Sequence, residues 1–168
     1  MLKKAIALLS PHGEYFEGDH CWNFRMGYSY YYLDQEGRAL PYFLKVKELL
    51  DGGSVGQPLT AEVRLLRPER PEDRDPARLP WRLRREVGGE GYFHDLAPHT
   101  LDILDFLLGE IADARGCKSN LGGFYDVADT VTAAFRFRSG VTGTGTWCFV
   151  APPQAVEDSV AITGRKYG

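Results

Sequence analysis

Two carboxylates and one imidazole are spaced in residues 92–108 so that they share one side of a predicted helix. At roughly 100° per residue, Asp95, His99 and Asp102 fall within about 60° of one another. The apolar residues of the segment occupy the opposite arc, so one side is expected to pack while the other presents titratable groups. The spacing therefore predicts an acid/base row displayed by an amphipathic helix.

Glycines precede this helix and leave little side-chain bulk in front of it. Gly88, Gly89 and Gly91 would let a ligand approach the backbone closely, and Gly109 stands where a C-terminal cap is expected. We therefore expect the row to face a binding site, with Gly88 and Gly89 among the residues that contact the substrate.

Each residue of the row also has a purely structural interpretation. Asp95 would be the N-cap of the helix if Pro98 occupied the first turn, where its missing N–H is harmless. His99 would be a surface histidine held by Asp102 at i+3. His94 lies roughly 100° to the side of Asp95 and is a poor partner for the row. The residues alone leave these alternatives open.

The composition is that of an ordinary globular domain. The 168 residues are 43% hydrophobic and 26% charged, with a net charge of −3, which gives no global attraction to nucleic acid or to an anionic membrane. Eight arginines lie between positions 64 and 85, but acidic residues and prolines are interspersed among them. This mixture predicts a solvated loop and not a phosphate-binding track.

The cysteines and the N-terminal segment bear on the compartment. Cys21, Cys117 and Cys148 form neither a CxxC pair nor a disulfide framework, which is typical of a reducing cytoplasm. The apolar run AIALL is shorter than a signal peptide requires, and no segment approaches membrane-spanning length. We therefore expect a cytoplasmic protein.

The periodicities of the chain predict an α+β fold. Helices are expected over 2–9, 40–50 and 92–108, and strands over 22–33, 59–66, 112–119, 129–138, 141–150 and 159–163. Ser139 and Gly140 form a two-residue turn between the two strands with the clearest alternation. We expect an open, largely antiparallel or mixed sheet whose helices cover one face.

The two strands of this hairpin supply more alternating apolar surface than one helical layer from a short chain is expected to cover. Their apolar side chains should then be partly exposed to water; these are Val131, Phe135, Trp147 and Phe149. Such a surface predicts a homodimer or a larger homo-oligomer that forms through the sheet.

Three segments carry a resemblance to a known family: LPYFLKVKELLDGGSVGQPL, LPWRLRREVGGEGYFHDLAPHTLDILDFLLGE and DTVTAAFRFRSGVTGTGTW. From about residue 28 to its end, the chain resembles the C-terminal domain of the Gfo/Idh/MocA oxidoreductases, the relatives of glucose-fructose oxidoreductase and inositol dehydrogenase. The most specific element is GG followed by DxxxH and then an aspartate three residues later, supported by Trp81 and Arg82 upstream.

The resemblance implies a sheet that binds substrate on its helical side and pairs with another subunit through its exposed face. It implies that His99 is the general base for a substrate hydroxyl and that Asp95 holds the same hydroxyl region. A carboxylate such as Asp102 would stabilise the imidazolium that forms. Trp81 and Arg82 then belong to the substrate site. The intact enzyme would use NAD or NADP on a sugar, a cyclitol or a related hydroxy compound.

Two departures from the family pattern limit this expectation. The chain contains no GxGxxG and therefore no Rossmann dinucleotide site. The family's Glu-Lys-Pro element is also missing, and neither Lys45 nor Lys47 replaces it by motif. We expect residues 1–27 to be a remnant of the Rossmann domain and residues 28–168 to be the C-terminal domain, shortened at its end. Alone, this chain should bind no cofactor and be inactive.

Three hypotheses follow from these observations. The first is a substrate-binding and dimerisation domain of an NAD(P)-dependent oxidoreductase. The second is a stand-alone, non-catalytic binding or assembly module derived from that family. The third is a metal-dependent hydrolase using His94, Asp95, His99 and Asp102, which is disfavoured because His94 and His99 do not share a helix face as zinc ligands at i, i+4 do. We therefore expect no metal site.

Overall fold

The computed structural model describes residues 2–165. Two predictions concern the chain ends: a Rossmann remnant over residues 1–27 and a shortened C-terminus. Of these ends, residues 1 and 166–168 lie outside the described residues. The helices are α1 (Leu2–Leu9), α2 (Gly13–Phe16), α3 (His20–Tyr31), α4 (Glu36–Asp51), α5 (Arg85–Gly88) and α6 (Tyr92–Leu108). The strands are β1 (Gln57–Leu66), β2 (Ile111–Ser119), β3 (Thr130–Phe137), β4 (Thr142–Cys148) and β5 (Glu157–Arg165). The α+β prediction is confirmed.

The described chain divides into two compact units, one formed by residues 2–58 with 164–165 and the other by 59–163. In the first unit, α3 packs against α4 around a small core that includes Met26, Phe43 and Val46. A Cβ at Gly27 would lie 2.9 Å from the ring of Phe43, so the absence of a side chain at this position lets the two helices approach closely.

The strand predicted over 22–33 is wrong, because this segment forms the helix α3. Asp19 begins the helix by accepting a hydrogen bond from Trp22 N at 2.8 Å, as an N-cap does. The buried residues Asn23, Met26 and Tyr30 then follow a helical period. The many tyrosines favoured a strand, but packing against α4 determines the structure instead.

The helix predicted over 40–50 is confirmed, although α4 begins at Glu36 and contains Pro41 in its interior. Phe43, Val46 and Leu50 are buried, whereas Leu40 and Leu44 are exposed. The apolar period therefore located the helix correctly while overstating the width of its buried face.

The second unit contains most of a five-stranded sheet with the order β2-β3-β4-β1-β5. β3 is antiparallel to both β2 and β4, while β4 is parallel to β1, with Thr60 opposite Thr142 and Leu66 opposite Cys148. The hairpin between β3 and β4 turns through Gly140, which has φ of 89°. The mixed sheet and this hairpin agree with the prediction.

α6 covers the inner face of the sheet. Its residue Phe93 packs edge-on against Trp147 at 5.1 Å between ring centroids, and Tyr92 packs against Phe149 at 5.3 Å. Rings on β3 and β4 lie across Gly143 and Gly145, where a Cβ would collide with Phe135 and Trp147, respectively. The inner face is therefore closed over β3 and β4 by aromatic rings that need the glycines beneath them.

The prediction that this apolar face is partly wet is wrong. Each of the four side chains is at most 7% exposed: Val131, Phe135, Trp147 and Phe149. The exposed residues of the hairpin instead lie on the other face of the sheet and include Thr132, Ala134 and Thr144. Between residues 2 and 165, no helix combines the length and the hydropathy that crossing a bilayer requires.

Candidate functional site

The helix α6 runs from Tyr92 to Leu108, as predicted. Its N-cap is Gly91, whose φ of 77° turns the chain directly into the helix, so Asp95 is its fourth residue. The interpretation of Asp95 as the N-cap is therefore wrong. Pro98 lies inside the helix and not in its first turn.

The two sides of α6 differ as the spacing predicts. Ala97, Ile103 and Leu104 are buried on the sheet side. On the other side His99 and Asp102 are exposed, and the Asp95 side chain is 22% exposed. The row is thus accessible from solvent, while its catalytic role remains a prediction.

The structure brings three of the predicted site residues together. Arg82 Nε donates a hydrogen bond to Asp95 Oδ2 at 2.5 Å, although the residues are 13 positions apart. The guanidinium carbon of Arg82 lies 4.5 Å from the centroid of the Trp81 ring, in the geometry of a cation–π contact. We call Trp81, Arg82 and Asp95 the Arg82 cluster. It places a fixed carboxylate beside guanidinium donors and a half-exposed aromatic ring.

The glycines before α6 have a structural explanation of their own. A Cβ at Gly88 would collide with the carbonyl of Arg82, and one at Gly89 would collide with the ring of His94. Gly89 also has φ of 65°, which L side chains rarely adopt. These glycines let the Arg82 segment and His94 pack tightly, and their contact with a substrate stays a prediction.

An ion-pair network is centred on Glu90, which lies between Gly89 and the start of α6. Glu90 bonds Lys118 Nζ at 2.8 Å and lies 3.5 Å from Arg85. The hydrogen bond from Lys118 is the main cause that lowers the pKa of Glu90 below its usual value. This network ties the turn before α6 to the edge strand β2.

The buried pair formed by Asp73 and Tyr92 was not predicted from the sequence. Asp73 is 1% exposed and accepts hydrogen bonds from Tyr92 OH at 2.7 Å and from Arg70 N at 2.8 Å. Burial is the main cause that raises the pKa of Tyr92, so its phenol keeps the proton that it donates. Asp73 lies among charged residues and prolines that were predicted to form a solvated loop. Its side chain is instead buried.

A metal ion or a dinucleotide requires a specific set of groups in the protein. Within residues 2–165, no three His, Cys, Asp or Glu side chains converge as metal ligands would. In the part of the chain that the structure describes, no strand leads through a glycine-rich turn into a helix: β1 instead enters the arginine- and proline-rich segment. Because a pyrophosphate is held by such a turn, the described residues do not fit a nicotinamide dinucleotide.

The α+β fold with its mixed five-stranded sheet matches a known family of oxidoreductase domains. Residues 43–167 match the GFO/IDH/MocA C-terminal domain, and the chain belongs to this family of oxidoreductases. The resemblance stated from the residues is thereby confirmed.

Individual relatives support the assignment. The chain is 36% identical over 131 residues to Oxidoreductase P35 of Formosa agariphila, covering 77% of this chain and 39% of that protein. It is 26% identical over 130 residues to levoglucosan dehydrogenase of Pseudarthrobacter phenanthrenivorans, covering 64% of this chain and 33% of that protein. The chain thus spans well under half the length of these relatives.

Solved structures show the same fold. The WlbA dehydrogenase from Bordetella pertussis, in complex with NADH and UDP-GlcNAcA, is 30% identical with a TM-score of 0.60, over 71% of this chain and 35% of that one. Levoglucosan dehydrogenase in complex with NADH is 25% identical with a TM-score of 0.61, over 70% of this chain and 33% of that one.

Proposed function

We propose that this chain is the substrate-binding domain of an NAD(P)-dependent oxidoreductase that acts on a sugar, a cyclitol or a related hydroxy compound. The carrying observation is the Arg82 cluster, whose Asp95 lies on the helix that also presents His99. The levoglucosan and UDP-sugar named for the solved relatives support a polyhydroxylated substrate.

The Arg82 cluster suits the recognition of hydroxyl groups. The Asp95 carboxylate accepts hydrogen bonds, while the Arg82 guanidinium beside it donates them, so adjacent hydroxyls of one ring find both partners. The exposed part of the Trp81 ring offers an apolar surface to the C–H groups of a sugar ring. Arg82 also holds the Asp95 carboxylate in one orientation, which favours a fixed substrate position.

His99 is the proton acceptor of this proposal. It is exposed on the same side of α6 as Asp95, one helical turn further along, where its imidazole can take the proton of a bound hydroxyl. Asp102, three residues later, would stabilise the imidazolium. Because these residues do not fit a dinucleotide, the nicotinamide cofactor would be held by another domain or chain.

Replacement of His99 tests the catalytic part of the proposal. In an enzyme assembled by fusing a family Rossmann domain to the N-terminus of the whole 168-residue chain, His99→Ala should lower kcat by roughly 10² to 10⁴ and leave the Kd for cofactor unchanged, because a positioned base is lost. His12→Ala, at an exposed position in the first unit, is the matched control and should retain the wild-type rate. A wild-type rate in His99→Ala would end the catalytic interpretation.

The open face of the sheet favours a second role in assembly. It carries a depression of about 520 Å³ lined by threonines and by charged side chains, among them Glu62 on β1, Arg115 on β2 and Arg136 on β3. In a two-fold pair, Glu62 of one copy could face Arg115 or Arg136 of the other. We therefore propose homodimerisation through this face, whether the chain is part of an enzyme or a stand-alone assembly module.

The cysteines support a reducing compartment for either role. Cys21, Cys117 and Cys148 are free thiols in the structure. Free thiols and the absence of paired cysteine spacing are typical of cytoplasmic proteins, and we propose this location.

A further inference from the structure

The Arg82 cluster depends on a long connection with few internal anchors. Residues 67–84 join β1 to α5, and we call them the arginine loop. Short 3₁₀ turns at Pro71–Arg74 and Trp81–Leu83 are its regular structure. Among its residues only Asp73 and Leu83 are buried, each 1% exposed. Arg82 therefore lies beside one buried anchor and nine residues after the other.

Asp73, the polar one of the two buried anchors, bonds to the first turn of α6. Tyr92, the first residue of the helix, donates its hydroxyl to Asp73 Oδ1 at 2.7 Å, and both side chains are buried. Asp73 Oδ2 accepts from Arg70 N at 2.8 Å, so both carboxylate oxygens are engaged. The guanidinium carbon of Arg70 lies 5.5 Å from the Tyr92 ring centroid. A buried carboxylate held in this way joins the loop to the helix in one geometry.

The position of Tyr92 on the helix connects this anchor with the site. Asp95 follows Tyr92 by three residues, so the two side chains are neighbours one turn apart along α6, with Tyr92 buried against Phe149 and Asp95 partly exposed. A bond that fixes Tyr92 relative to Asp73 therefore fixes the arginine loop one turn away from the point where Asp95 meets Arg82.

We propose that Tyr92 is a positioning residue whose buried hydrogen bond to Asp73 sets the Arg82–Asp95 ion pair. Tyr92 is too deeply buried to contact a substrate, and it acts through the loop that carries Arg82. The functional meaning of this role rests on the proposed function, since it matters for activity only if the Arg82 cluster binds substrate. The structural link itself does not depend on that proposal.

Tyr125 provides a matched control inside the same unit. It is 6% exposed, against 5% for Tyr92, but its hydroxyl has no hydrogen-bond partner in the described structure. Tyr92→Phe and Tyr125→Phe therefore remove the same buried atom, in one case with a carboxylate partner and in the other without one. Loss of a bond to a charged group should raise the unfolding equilibrium constant roughly ten- to a hundred-fold in Tyr92→Phe alone.

The test uses the whole 168-residue chain labelled with ¹⁵N and the Nε–H signal of Arg82, identified by its disappearance in Arg82→Lys. We expect this N–H to be protected from solvent exchange in the wild type because it donates to Asp95. In Tyr92→Phe its exchange should accelerate at least about tenfold while the amide signals of β3 and β4 stay in place. Tyr125→Phe should leave the exchange unchanged.

Asp73→Asn covers the case in which Tyr92→Phe fails to fold, since it keeps the side-chain shape and removes the charge. It should also accelerate exchange at Arg82. The proposal is overturned if both variants leave the Arg82 signal as in the wild type, even if they lower stability, or if Tyr125→Phe accelerates exchange equally.

A parallel titration with levoglucosan and myo-inositol separates the two proposals. Absence of any response in the α6 amides of the wild type would count against the proposed substrate class, while the Arg82 exchange rates would still decide the role of Tyr92.

Discussion

The pairing of Arg82 with Asp95 shows what residue types and spacing reveal about this site and what they leave hidden. Both residues could be identified as site candidates from the sequence, since one belongs to the Trp-Arg pair and the other to the DxxxH pattern. Their contact depends on the path of the arginine loop and on Gly88, which admits the Arg82 backbone. Asp73 gave no signal at all, because a lone aspartate in a charged loop is ordinarily solvated.

A double-mutant cycle measures this pairing. Arg82→Gln, Asp95→Asn and the double variant should reveal a coupling energy of about 0.5–1 kcal/mol in urea unfolding. The value is modest because the two side chains are 37% and 22% exposed. Additive effects of the two substitutions would show that the pair contributes nothing to stability. A pure N-cap at position 95 would instead tolerate asparagine without loss, and the structure excludes this role.

At the scale of elements, prediction succeeded where local pattern and tertiary packing agree. α6 has a three-to-four-residue apolar period between glycines, and β3 and β4 alternate around a Ser-Gly turn, so both were located from the sequence. α3 was wrongly predicted as a strand because its buried stripe contains Asn23 and Gly27, which hide the helical period, while its tyrosines favour a strand. The parallel pairing of β1 with β4 joins residues more than 80 positions apart and has no local signal.

The glycines of β4 give a test at this scale. Gly145→Ala would push a methyl group into the ring of Trp147, which is fully buried, so we expect a loss of stability of about 1–3 kcal/mol. Gly37→Ala, within α4 and with open space around its Cα, is the matched control and should be neutral or stabilising by up to about 1 kcal/mol. Chemical denaturation measures both. Equal effects of the two substitutions would contradict the described packing of Trp147.

Pro98 gives a second test, because it lies inside α6 and cannot donate to the carbonyl one turn earlier. Pro98→Ala restores that donor and should stabilise the chain by roughly 1–3 kcal/mol, measured by thermal or urea unfolding. Pro41→Ala, at the interior proline of α4, is the comparison in the other unit and should also stabilise. A destabilised Pro98→Ala variant would indicate that the helix needs the irregularity that proline introduces.

For the molecule as a whole, the resemblance predicted the family and the sheet, but the apolar pattern predicted exposure of a face that is buried. Periodicity separates the two faces of a strand and does not show which face the helices cover. α6 closes the aromatic face, and the face left open is rich in threonine and charge. The depression on this face is lined by few large apolar side chains, so an interface there would depend on shape and complementary charge.

The open face of the sheet is expected to form the interface of a homodimer. At tens of micromolar, light scattering should give the mass of a dimer for the 168-residue chain, because Glu62 of one copy can pair with Arg136 or Arg115 of the other. Ala134→Arg places a long cation at the centre of the face, where Ala134 is exposed, and should yield monomers. Gln154→Arg adds the same charge in the turn Pro153–Ala155, outside the strands, and should remain dimeric. A monomeric wild type would refute the assembly role, whereas a dimer that survives Ala134→Arg would place the interface on another surface.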